Sequence, residues 1–182
     1  MGYTLELRAV PVEAVIRELR APSLGPDDLD DDTVPAEVAE GWDDLAVAVA
    51  ETVAAGGGEL AGDEAVYVQF VVRQLGTHYG ELNHTSAGGP EFRDRFLAGP
   101  VAERFGPTFV TNLVNRPLAG LSWADYPAIG WATANELGAA LATADATNGG
   151  AERPEDIEPL HTLDRAIRRA ATMGLDIVTV YG

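Results

Sequence analysis

The segment Asn83-His84-Thr85-Ser86-Ala87-Gly88-Gly89 holds the densest chemistry in the chain: an imidazole able to act as a base, two hydroxyls, and two glycines that permit a sharp turn. His84 and Ser86 are therefore the candidate catalytic pair of a small hydrolase or ligand-binding enzyme. The run around Ser86 does not match the nucleophile elbow G-x-S-x-G. A plainer assignment gives Ser86 or Thr85 to local backbone groups and His84 to a carbonyl, the ordinary work of polar side chains in turns.

His78, Glu81 and His84 form H-x2-E-x2-H. On a helix, residues six apart are rotated by about 240°, so the two histidines would not face one metal, and the zincin spacing H-E-x-x-H is absent. Asp28, Asp30 and Asp32 open like a calcium loop, but Thr33 stands where that loop needs glycine and Ala39 where it needs the bidentate glutamate. Gly56-Gly57-Gly58 follows a helical pattern rather than a strand, and the chain has no lysine to reach a phosphate. No metal and no cofactor are expected.

His78, Arg93, Arg116, Trp123 and Asp125 are the candidate ligand-binding residues. Guanidinium groups pair bidentately with anionic ligands, and Trp123 and Asp125, with Tyr126 and Trp131, can line a groove. Against this, arginines in so acidic a chain readily pair with neighbouring carboxylates, and aromatics at this density more often fill a core.

The elements that must position these groups follow from periodicity. Tyr3, Leu5 and Leu7 alternate with Thr4, Glu6 and Arg8 as in a half-buried strand. Pro11 opens a helix whose apolar stripe is Val12, Val15, Ile16 and Leu19. Residues 21–34, with Pro22, Gly25, Pro26 and five aspartates, read as a mobile surface loop. From Pro35 a helix carries Val38, Trp42, Leu45 and Val49 to the stop at Gly56. Residues 63–75 alternate like a strand at Val66, Val68, Phe70 and Val72, but the acidic start, the length and Gly76 favour a buried helix.

Residues 76–89 read as a loop, and Pro90 begins a short helix burying Phe92 and Phe96. Gly99 and Gly106 divide helical turns around Phe105, Phe109, Leu113 and Val114, and residues 119–130 read as irregular, with Trp123, Tyr126, Ile129 and Trp131 as anchors. Thr133 and Glu136 have the spacing of a capping box for a helix reaching about residue 144. Ile157, Leu160, Leu163 and Ile167 mark an amphipathic helix that Gly174 can stop, and residues 176–181 are a β-branched strand. The expectation is a single α+β domain over 1–182: a small sheet including the N-terminal and C-terminal strands, covered by several helices.

Composition limits the function. The 182 residues carry a net charge of −17, no cysteine, and twelve basic residues that are all arginine. Such a field opposes nucleic acid and anionic membranes, and no window approaches the ~20 apolar residues of a membrane span. The N-terminus lacks the basic flank and apolar run of a signal peptide. A cytoplasmic protein with no disulfides is expected. The acidity is also localised: residues 21–72 hold thirteen acidic side chains and no basic one. Salt adaptation and a GC-rich genome would each give such a composition without any partner.

The opening Met1-Gly2-Tyr3-Thr4-Leu5, the segment 84–89 with Phe92-Arg93, the run Leu113-Val114-Asn115-Arg116-Pro117-Leu118-Ala119-Gly120-Leu121, and the ending Leu175-Asp176-Ile177-Val178-Thr179-Val180-Tyr181-Gly182 resemble a group of uncharacterised bacterial proteins, mainly from actinobacteria. The strand-like ends are also similar to the YfbM-like proteins, an α+β family without an assigned activity. These resemblances imply a bacterial, cytoplasmic α+β domain and carry no catalytic residues over.

The leading expectation is thus a non-enzymatic, acidic protein-binding module of immunity or antitoxin type. Its candidate contacts to a basic protein partner are Asp28, Asp30, Asp32, Glu37, Glu40, Asp43 and Asp44. The alternative is the hydrolase centred on His84 and Ser86.

Overall fold

The computed structural model describes residues 2–28, 34–85, 96–124, 127–147 and 154–182, with the side chains of 2, 3, 84, 85 and 154–158 left aside. Four strands, β1 (Gly2–Ala9), β3 (Thr77–Thr85), β5 (Ala128–Ala132) and β6 (Ile177–Tyr181), form an antiparallel sheet in the order β3-β1-β6-β5. The N-terminal and C-terminal strands lie side by side at its centre, so the fold is α+β as the pattern required. A separate parallel pair joins β2 (Glu59–Leu60) to β4 (Ser122–Trp123).

Helices cover both faces, and the period of two decides which residues meet which layer. Val178 and Val180 of β6 share one core with α1 (Val12–Arg20), α2 (Ala36–Glu40), α3 (Trp42–Ala54) and α4 (Gly62–Leu75). Leu5 and Leu7 of β1 share the other, with Ile177 and Tyr181 of β6, against α5 (Pro100–Phe105), α6 (Pro107–Val114), α7 (Ala134–Ala146) and α8 (Pro154–Met173).

Several expectations hold in detail. Residues 62–75 are helical, with Tyr67, Val68, Phe70, Val71 and Val72 buried, because this helix packs on more than one side. Thr133 Oγ1 accepts from the Glu136 N–H while the Glu136 carboxylate accepts from the Thr133 N–H, completing the capping box of α7. Gly174, at φ 66°, takes the left-handed conformation after α8. Phe96 is buried, whereas Phe92 lies outside the described residues.

Three expectations are corrected. The helix drawn from Pro35 to Gly56 is broken at Gly41, where Trp42 starts α3 with its ring edge-on to Tyr67 at 4.6 Å. Residues 77–85 are strand β3, not loop. Only Leu82 is a buried apolar residue on it, and a bulge between Leu7 and Arg8 offsets its pairing, so the alternation that betrays a strand is missing. Residues 128–132 form β5 where an irregular stretch was expected. Gly130 broke the pattern there for a packing reason: a Cβ on it would sit 2.4 Å from the carbonyl oxygen of Leu113, because the end of α6 lies directly on the sheet. The Thr179 hydroxyl, at the paired position on β6, donates to that same carbonyl.

Two helix starts converge on one side chain that the sequence reading passed over. Asp176 accepts from the Val12 N–H at the start of α1 and from the Ala134 N–H at the start of α7, each at 2.8 Å. A single carboxylate thus satisfies orphan donors in the helical layers of both faces.

Candidate functional site

Among the described residues, two surfaces stand out. The first is a polar cleft on the sheet, where the α4 side leaves the β1 and β3 edge uncovered. The cross-strand pairs Thr4 with Asn83, Glu6 with Glu81 and Arg8 with His78 lie in register there, and Gln69 and Arg73 of α4 line the same cleft, which encloses about 730 Å³. Glu6 is its buried centre, 6% exposed. Its carboxylate accepts from Arg8 Nε at 2.6 Å and from Arg73 Nε at 2.9 Å. Arg8 Nη1 also donates to the carbonyls of Arg73 and Gly76 at the end of α4, both at 3.1 Å. With its amide oxygen turned to Arg73, Gln69 accepts from both terminal nitrogens of that guanidinium, at 3.0 and 2.9 Å. The arginines of the cleft are therefore engaged by protein acceptors, and the Thr4 hydroxyl donates to Asn83 at 2.7 Å. The cleft reads as an internal ion cluster with His78 and Glu81 exposed at its rim, 4.0 Å apart.

The second surface is acidic. Glu37 and Glu40 on α2, Asp43, Asp44 and Glu51 on α3, Glu59 on β2 and Asp63 on α4 are exposed, and Glu64 is half-exposed. Among the described residues none of these eight carboxylates forms an ion pair, while those outside this layer commonly do. The segment beside it, expected to be part of a mobile loop, is anchored at its first half. The buried carboxylate of Glu18 accepts from Ser23 N at 2.6 Å, Ser23 Oγ at 2.7 Å and Leu24 N at 2.8 Å. Trp42 Nε1 donates to the Leu24 carbonyl at 2.8 Å. Burial first, and then the Glu18 charge, push the nearby Tyr67 phenol up to about 12.

The candidate residues separate accordingly. Arg116 stacks 3.5 Å from the centre of the Trp131 ring and donates to both carboxylate oxygens of Glu136, at 3.0 and 2.9 Å. Burial of Glu136 acts to raise its pKa, but the hydrogen bonds from Thr133 and Arg116 outweigh it and hold the carboxyl below the usual range. Trp123 is buried on β4, so it serves the core; its indole N–H has no hydrogen-bond partner among the described residues. His78 sits at the cleft rim, away from Arg116.

His84 is paired through its backbone with Tyr3, whereas His78 and Glu81 pair with Arg8 and Glu6. Ser86, Arg93, Asp125, Asp30 and Asp32 lie outside the described residues, as does the side chain of His84. Asp28 accepts from the Gly25 N–H at 2.8 Å and closes the turn there. Among the described residues no group of three His, Asp or Glu is placed to hold a metal ion, and no helix is long and apolar enough to cross a membrane.

Sequence reasoning missed the Glu6, Arg8 and Arg73 cluster and the Glu18 anchor. The alternation of charged residues on one face of β1 was the available signal for the first; nothing in the local pattern marks the second.

Comparison with family models, with curated proteins and with solved structures finds no match to this chain.

Proposed function

We propose that the protein is a non-enzymatic, cytoplasmic binding module that engages a basic protein partner through the acidic layer of α2, α3 and the start of α4, in the manner of immunity or antitoxin proteins. The observation that supports this is the state of the eight carboxylates between Glu37 and Glu64: they are on the surface and, among the described residues, uncompensated by any arginine. Keeping like charges together costs stability, and a cationic partner relieves that cost on binding while the field speeds encounter.

The cleft offers less to a ligand, because its guanidinium groups are already committed to Glu6, Gln69 and backbone carbonyls. The test is capture on immobilised protein followed by elution across a salt series. A basic protein that is retained at low salt and released as salt rises is the expected result; retention indifferent to salt, or retention of acidic proteins, would overturn the reading.

A further inference from the structure

The acidic layer contains a groove of about 600 Å³ between residues 22–25 and one stripe of α3, formed by Asp43, Ala46, Val47, Ala50, Glu51 and Ala54. Three properties make it more than a dent in a charged surface. Val47 is 57% exposed, an unusual state for a β-branched apolar side chain in this molecule. Asp43 and Glu51 stand four residues before and after it, about 6 Å along the helix axis in each direction, so an apolar contact point is bracketed by two carboxylates on one helix face. The opposite wall is preformed, because Glu18 grips the backbone of Ser23 and Leu24 from within the core and Trp42 holds the Leu24 carbonyl. A groove that exists before the partner arrives spares the cost of ordering it.

We propose that this groove receives a basic amphipathic helix of the partner, which seats one apolar side chain on Val47 between two arginines or lysines that meet Asp43 and Glu51. The proposal rests on the basic-partner reading above and narrows it to one site and one pattern, a basic residue a turn before and a turn after a single apolar anchor. Charge complementarity selects this occupant: residues 21–72 carry no basic side chain, so the acidic rim repels another copy of this surface. An acidic or neutral segment would leave both carboxylates unanswered.

The probe is a synthetic helical peptide with a central leucine and an arginine four residues to either side, titrated into the full-length protein and followed by amide chemical shifts and by anisotropy. Shifts concentrated on α3 and residues 22–25 are expected. Replacing the leucine by glutamine in the peptide, or Val47→Gln in the protein, is expected to weaken binding by roughly tenfold, the worth of one partly buried aliphatic side chain. Asp43→Asn with Glu51→Gln is expected to weaken it and flatten its salt dependence, whereas Glu37→Gln with Asp63→Asn, outside the groove, is expected to do so far less. The Val47→Gln side chain is exposed, so the variant folds, and its far-ultraviolet spectrum verifies this.

Two results overturn the groove. One is binding that ignores Val47 and the leucine and weakens equally with both acidic pairs, which leaves a diffuse acidic surface and spares the broader reading. The other is an absence of shifts at α3 and 22–25. Salt-indifferent capture in the preceding experiment removes the broader reading itself, so the two failures are told apart.

Discussion

The sheet cleft and the α2–α3 layer use carboxylates in opposite ways. In the cleft, Glu6 is buried and answered by Arg8 and Arg73, which in turn tie β1 to the end of α4. In the layer, Glu37, Glu40, Asp43, Asp44 and Glu51 stand on two consecutive helices that contain no basic residue. The same chemical group therefore holds the fold in one place and is left unspent in the other. Charge on this molecule is sorted, and the sorting separates what folds the chain from what is available to a partner.

The largest expected effect tests the structural half of that contrast. Glu6→Ala leaves two guanidinium groups facing each other without their shared anion, and unfolding in urea should show a loss of about 3 kcal/mol. A loss below about 1 kcal/mol would place Glu6 with ordinary surface ion pairs and erase the contrast. Asp176→Ala removes the acceptor for the starts of α1 and α7, and a loss of about 2 kcal/mol is expected by the same measurement.

A smaller effect concerns Tyr67, whose pKa is raised first by burial and then by the Glu18 charge. Because the Tyr67 phenol is pushed from its ordinary 10.0 up to about 12, between these values the unfolded chain has released its proton and the folded chain has not. The Tyr67 contribution is intact below pH 10 and is lost as pH rises toward 12. Tyr67→Phe should flatten the fall in stability over that window, and a tyrosinate absorbance titration should lose a component near pH 12. The smallest effect belongs to the acidic layer: neutralising Glu37, Glu40, Asp43 and Asp44 to their amides should leave stability within about 0.5 kcal/mol or raise it. A large loss would mean that these carboxylates are structural after all.

How far the sequence could be read depended on whether an element's neighbours impose a period on it. The helix of residues 12–20, the capping box at Thr133 and Glu136, and β6 carry local signals strong enough to be read directly. Strand β3 was hidden because His78 and Glu81, paired with Arg8 and Glu6, stand exposed at the rim of the polar cleft, so burial never imposed an alternation on it. β5 was hidden because Gly130 answers to the backbone of α6, a contact seventeen residues away in sequence from Leu113.

The acidic stretch was legible from composition, since thirteen acids without a basic residue between 21 and 72 need no structure to count. Its groove was not. Val47 reads as one more apolar residue of α3 until the fold shows that the stripe burying Trp42, Ala46, Val49 and Val53 leaves it outside. Two arginine contacts, Arg8 to the Arg73 carbonyl and Arg116 to Glu136, likewise follow from tertiary contacts across 65 and 20 residues rather than from spacing.

The measurement that bears most directly on the sorting of charge compares two variants against the captured partner over a salt series. One carries Glu37→Gln, Glu40→Gln, Asp43→Asn and Asp44→Asn; the other carries Glu6→Gln and is used at a temperature where it remains folded. Loss of affinity and of salt dependence in the first, with both retained in the second, is the predicted result. Equal salt dependence in wild type and the layer variant, or its loss only with Glu6→Gln, would contradict the assignment of the α2–α3 layer as the binding surface.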